Sequence, residues 1–164
     1  MRPSLRTCLS LFLASCLVAV GCGGGSNSNS IGSAGNVASG SSVNSAKTTV
    51  EDLGLRIVLP YELDDVVWKE YIDQKRLVAV MRVTPADAAK LIADASATGP
   101  AESVSIPVQA WFPQELVAQG EISGDNTLKG QAYPANSFFQ EPYISGRVAR
   151  VEGTDYFVLD VTAK

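Results

Sequence analysis

Residues 23–46 read GGGSNSNSIGSAGNVASGSSVNSA, and eighteen of these 24 are glycine, serine or asparagine, with no charge among them. Such a stretch cannot bury enough apolar surface to offset the entropy of ordering it. It is expected to stay flexible, with an r.m.s. reach of roughly 25–30 Å. It carries no GxxxxGK[ST] pattern, so its glycines do not read as a phosphate loop. A packed fold must therefore come from residues 47–164, a length that supports one hydrophobic core.

The chain has no histidine, and its three cysteines stand at positions 8, 16 and 22. Histidine bases, nucleophiles and metal ligands are excluded. The segment 47–164 has no disulfide, thiol nucleophile or cysteine metal site, and nothing in it implies a cofactor.

The first 21 residues read as a signal peptide. Arg2 and Arg6 make a positive start, and an uncharged, mostly apolar run from Thr7 to Gly21 follows. Fifteen residues are too few for a permanent membrane span, which needs about 18 or more. Ala19-Val20-Gly21-Cys22 resembles the lipobox of bacterial lipoproteins, although that family most often has leucine where Ala19 stands. The resemblance covers about residues 1–22. It implies cleavage before Cys22, a diacylglycerol on the Cys22 sulfur and attachment to the membrane through acyl chains. More than one acyl chain makes such attachment stable. Leu13-Ala14-Ser15-Cys16 is a competing site. It is rejected because it would leave a nine-residue apolar segment and place LVAV, not a polar tether, after the lipid. Gly23, where an aspartate would favour inner-membrane retention in a Gram-negative cell, resembles outer-membrane sorting. The expected organisation is thus a signal peptide at 1–21, a lipidated cysteine with its tether at 22–46 and one globular domain at 47–164.

Without Arg2 and Arg6, 11 basic residues face 17 acidic ones. That balance disfavours nucleic acid as a partner.

In the folded segment, Leu55–Leu59 reads as a short strand ended by Pro60. Asp65–Asp73 and Arg76–Thr84 read as a hairpin, the second run apolar on both faces as in a central strand. Thr84-Pro85-Ala86-Asp87 predicts a helix start, with Ala88, Leu91, Ile92 and Ala95 as its apolar stripe and an end before Gly99-Pro100. Ser103–Trp111 reads as an edge strand interrupted or begun at Pro107. Pro113–Gln119 gives one or two helical turns ending at Gly120, and Gly124-Asp125-Asn126 a turn. Residues 127–145 resist assignment. Arg147–Glu152 and Asp155–Thr162 flank Gly153-Thr154, which predicts a two-residue type II′ hairpin with Arg147 opposite Asp160 and Ala149 opposite Val158. This order predicts an α+β fold: a mainly antiparallel sheet with one principal helix, about 85–97, packed on a face. A small β-sandwich or barrel is the alternative.

Candidate chemistry is sparse. Glu62, Asp64 and Asp65 are a dense acidic group able to offer oxygen ligands, but they lack calcium-loop spacing and read as solvated, so no metal is assigned. Asp87 and Asp94, two turns apart, are placed on a capping, solvated face rather than read as a catalytic pair. No catalytic residue is identified. Trp111, Phe112, Tyr133, Phe138, Phe139 and Tyr143 lie among Pro, Gly and Asn. They form either a platform for a sugar or peptide or the plug of a core beneath long loops, the second being favoured. The expected function is a lipid-anchored, non-enzymatic binding or scaffolding domain for an envelope protein or glycan. The alternatives are an envelope hydrolase using carboxylates and an inhibitor or immunity-like domain.

Overall fold

The computed structural model describes residues 45–164. The expected signal peptide, Cys22 and most of the expected tether fall outside the described residues.

Two hairpins frame the fold. Strands β1 (Leu63–Tyr71) and β2 (Arg76–Val83) join through a single 3-10 turn, with Tyr71 opposite Arg76 and Trp68 opposite Ala79. Strands β5 (Tyr143–Val151) and β6 (Tyr156–Ala163) pair with Arg147 opposite Asp160 and Ala149 opposite Val158, the register expected from the sequence. Their turn is not the two-residue type II′ loop. The Val151 carbonyl accepts the Thr154 N–H, and Gly153 takes the third turn position at φ 74°. Positive φ at that position suits glycine.

Strands β3 (Glu102–Pro107) and β4 (Thr127–Pro134) complete one open antiparallel sheet in the order β1-β2-β6-β5-β4-β3. A single open sheet is neither the sandwich nor the barrel kept as the alternative. β3 is indeed an edge, but it ends at Pro107, where the chain leaves the sheet. β4 occupies part of the region that resisted assignment. Its Gly130 and Pro134 break the apolar alternation by which a strand is recognised.

Alternation along the central strands divides the interior into two cores. Leu77, Ala79, Met81 and Val83 of β2 face one layer, with Phe157, Leu159 and Val161 of β6. Val78 and Val80 face the other, with Val158, Ala149 and Val151. Helix α2 (Pro85–Ser96) packs Ala88 and Leu91 onto the first core. Its start is the expected one: Pro85 lies in the first turn and the Thr84 hydroxyl accepts the Asp87 N–H. Burying Leu91 completely contributes about 1.5–3 kcal/mol.

α2 is not the one principal helix. Helix α3 (Gln114–Ser123) covers part of the opposite face through Leu116 and Val117. The expected stop at Gly120 is overrun because Gly120 serves another purpose. A Cβ there would sit 2.5 Å from Val108 Cγ2, so glycine permits close approach of the segment after β3. The helix ends at Gly124 instead, in the left-handed region at φ 81°.

Leu55–Leu59 is not a strand. Helix α1 (Val50–Gly54) precedes it, and Leu53 and Ile57, four apart, are both fully buried in the first core. The segment lies across the sheet face, with the Val58 N–H donating to the Phe138 carbonyl. Lys47 joins the sheet: its N–H and carbonyl exchange two 2.8 Å hydrogen bonds with Trp68 on the outer edge of β1.

Candidate functional site

The six aromatic residues singled out in the sequence do not form one platform. Phe112 is buried in the second core, with Trp111 half-buried against it in an edge-to-face contact at 4.7 Å. Phe138 and Tyr143 are buried in the first core on the other side of the sheet, and Tyr133 and Phe139 pack against it. The Tyr143 hydroxyl donates to the Glu70 carboxylate, and burial first, then that bond, pushes its pKa well above the usual phenol range.

The acidic candidates have structural partners. Asp65 Oδ1 accepts the Val66 N–H, while Glu62 and Asp64 are exposed. Among the described residues no three acidic or other ligating side chains gather as a metal site. Asp87 and Asp94 do share a face, and it holds a neighbouring segment. Asp87 Oδ2 accepts the Glu62 N–H at 2.8 Å, and Asp94 Oδ2 accepts the Tyr61 hydroxyl at 3.1 Å. The Lys90 ammonium lies 5.3 Å over the Tyr61 ring between them.

The most developed concavity lies on the α3 face. At Pro107 the chain leaves β3 and runs as residues 108–112 beside the sheet before α3 begins. α3 covers the β4 end of this face and leaves the middle of the sheet to that loop. The result is a cleft of about 190 Å³. Val78, Val158 and Ala149 from β2, β6 and β5 line it, with Ile106, Pro107 and Phe112 on the opposing side. Arg76, Asp160, Arg147 and Gln109 supply its polar groups.

Three side chains fix the loop. The Trp111 indole N–H donates to Gln109 Oε1 at 2.7 Å and to the Tyr71 hydroxyl at 3.1 Å. The Tyr71 hydroxyl in turn donates to Gln109 Oε1. An indole N–H only donates, so the amide atom it meets is the oxygen. The Gln109 amide nitrogen is then left with its two donors, and it makes no hydrogen bond within the described residues.

The charges in the cleft are unequal. Arg76 grips Asp160 with two bonds, Nε to Oδ1 at 2.7 Å and an Nη to Oδ2 at 2.9 Å. Hydrogen bonding to Asp160 holds the Arg76 proton still more firmly, although partial burial works the other way. Arg147 faces Asp160 across the β5–β6 ladder, and its side chain has no ion pair or hydrogen bond among the described residues. One guanidinium therefore stays uncompensated at the rim.

Sequence reasoning reached two of these residues, since the hairpin register set Arg147 beside Asp160. It missed Arg76, Gln109 and Tyr71, because the β2–β6 pairing and the loop anchor join residues far apart in the chain. A larger but more open groove of about 470 Å³ lies between Ile92, Tyr133 and Arg150. Its rim carries both Arg150 and Glu152, so it has no excess of one charge.

In comparison with known proteins, no family model, no curated protein and no solved structure matches the chain.

Proposed function

We propose that this chain is a lipid-anchored protein of the bacterial cell envelope. In this reading Cys22 carries the acyl chains, residues 23–46 are the tether, and the outer membrane is the destination if the cell is Gram-negative. The domain at 47–164 binds an envelope component at the cleft beside residues 108–112, without transforming it. The observation that carries the binding reading is the chemistry of the cleft lining. It combines apolar walls with a small number of placed polar groups, as ligand pockets do. Its one carboxylate, Asp160, is engaged at both oxygens by Arg76. That pairing commits the carboxylate to Arg76, which supports binding over acid–base catalysis.

Two measurements test the reading. Mass spectrometry of the mature N-terminus is expected to find acyl chains on Cys22; an unmodified N-terminus beyond residue 22 overturns the anchor. Isotope-labelled protein titrated with fractionated envelope extract is expected to show amide shifts clustered at Val78, Gln109, Arg147 and Val158. Shifts confined to other surfaces, or none, overturn the binding site.

A further inference from the structure

We infer that the cleft takes a compact apolar carboxylate, whose anionic end is held by Arg147 and the Gln109 amide. The inference rests on the binding reading above and adds the class of ligand.

Three observations converge on it. The first is charge. Two guanidinium groups line the cleft against one carboxylate, and the Arg76–Asp160 pair is closed on itself through both oxygens. The positive charge that remains is Arg147. A guanidinium presents parallel N–H donors that match the two oxygens of a carboxylate.

The second is the balance of donors and acceptors. Gln109 Oε1 is occupied by Tyr71 and Trp111, so the glutamine offers the cleft only N–H groups. Each Asp160 oxygen already accepts one bond from Arg76, whose charge offsets that of the carboxylate. The uncommitted side-chain groups of the lining are therefore mainly donors, on Arg147 and Gln109, and the charge left over is positive. Such a lining favours an anionic ligand that accepts hydrogen bonds over a cationic one, which Arg147 repels.

The third is size and wall chemistry. Val78, Ile106, Phe112, Ala149 and Val158 give apolar walls to a cleft whose whole volume is about 190 Å³. That is slightly more than the ~150 Å³ cavity known to accept benzene. The ligand body is thus a branched alkyl group or a single ring. Such a group occurs in free short acids and in the C-terminal residue of a peptide, where the same carboxylate stands beside an apolar side chain.

The experiment is an NMR titration of the full isotope-labelled chain with 3-methylbutanoate and benzoate, each beside its neutral amide. A short peptide ending in leucine, with free or amidated C-terminus, forms the second arm. Saturable shifts of the Val78, Gln109, Arg147 and Val158 amides are expected with the carboxylates, and binding at least tenfold weaker with the amides. Arg147→Gln, at an exposed position, should reduce the carboxylates to the level of the amides. Ala149→Leu should fill the cleft and abolish binding of all of them. Tighter binding of the peptide acid assigns the carboxylate to a chain terminus, and tighter binding of the free acids assigns it to a small molecule; both outcomes uphold the ligand class. Equal affinity for acid and amide, no effect of Arg147→Gln, or no shift with any carboxylate at millimolar concentration overturns it. If envelope extract moves the cleft amides while every carboxylate fails, the ligand class falls and the binding reading stands; if neither moves them, both fall.

Discussion

Arg147 stands directly across the β5–β6 ladder from Asp160, yet the Asp160 carboxylate is held by Arg76 from the strand on the other side. One acid thus separates two guanidinium groups on a single face. Asp160→Asn should cost about 1 kcal/mol, a modest figure because the Arg76 and Asp160 side chains remain 35% and 25% exposed. Part of that cost is repulsion between Arg76 and Arg147, so it should shrink as salt is added. Urea unfolding of both proteins at low and high ionic strength measures this. A penalty independent of salt would show that the two arginines do not sense each other.

Gly120→Ala should destabilise the protein by about 1–3 kcal/mol through overpacking, since the new methyl meets Val108 Cγ2 at 2.5 Å. Helix propensity alone predicts the reverse, a gain of up to about 1 kcal/mol. The sign of the change therefore decides between them. Adding Val108→Ala in the same chain should restore most of the loss, which a thermal or urea midpoint would detect.

Tyr71→Phe should loosen residues 108–112 while sparing the sheet. The phenol joins Gln109 and Trp111, and its loss removes bonds that contribute about 1 kcal/mol. Of the two tryptophans, Trp68 is fully buried in the opposite core, so a red shift of emission would report on Trp111. Faster amide exchange at Phe112 should accompany it. Unchanged emission and exchange would mean that apolar packing alone holds the loop.

The pH dependence of stability should carry a signature of Tyr143. Burial and the bond to Glu70 raise its pKa in the folded state above the unfolded value of about 10. A group shifted in this direction contributes stability that is complete below pH about 10 and is lost as pH rises toward the folded value. Tyr143→Phe should lower stability near neutral pH by about 1.5 kcal/mol. Above pH about 10 its stability should fall less steeply than that of the parent chain. Denaturant midpoints across the alkaline range test this, and parallel slopes would refute it. Tyr61 and Tyr156 are shifted the same way, each chiefly by burial, so a residual slope is expected.

Cys22→Ser should block lipidation and leave an unprocessed precursor, because serine offers no thiol for acyl transfer. Cys16→Ser should leave both steps intact. Mass spectrometry of the N-terminal peptide distinguishes these outcomes, and acyl chains on Cys16 would refute the assignment.

What was legible in the sequence was local. The Thr84-Pro85 helix start, the 63–83 hairpin and the pairing of Arg147 with Asp160 depend on residues near one another in the chain, and periodicity and turn chemistry reveal them. α3 runs past the stop that Gly120 suggests in sequence, because Gly120 is a packing glycine. Leu55–Leu59 reads as a strand because four of its five residues are apolar, whereas Leu53 and Ile57 bury themselves at helical spacing. The cleft was not legible. Its polar groups come from β2, β5, β6 and the 108–112 loop, and no local pattern marks which side chains a sheet will set beside one another. The six aromatics stand out by their Pro, Gly and Asn surroundings, yet Tyr133 and Tyr143 lie in β4 and β5, and Phe112, Phe138 and Tyr143 are core residues.

The Lys47–Trp68 pair has a mechanical consequence. Any tension arriving from residues before Lys47 meets the domain at the outer edge of β1, where two backbone hydrogen bonds and the Lys47 ammonium over the Trp68 ring resist it. Two bonds at an exposed edge are fewer than those of the β1–β2 ladder behind them, so a pull is expected to free Lys47 from the edge before it strains that ladder. The cleft, bounded by β2, β6 and β5 and by the loop after β3, lies inside strands that such a pull does not reach first. An occupant there would be shielded from a pull on the chain before Lys47.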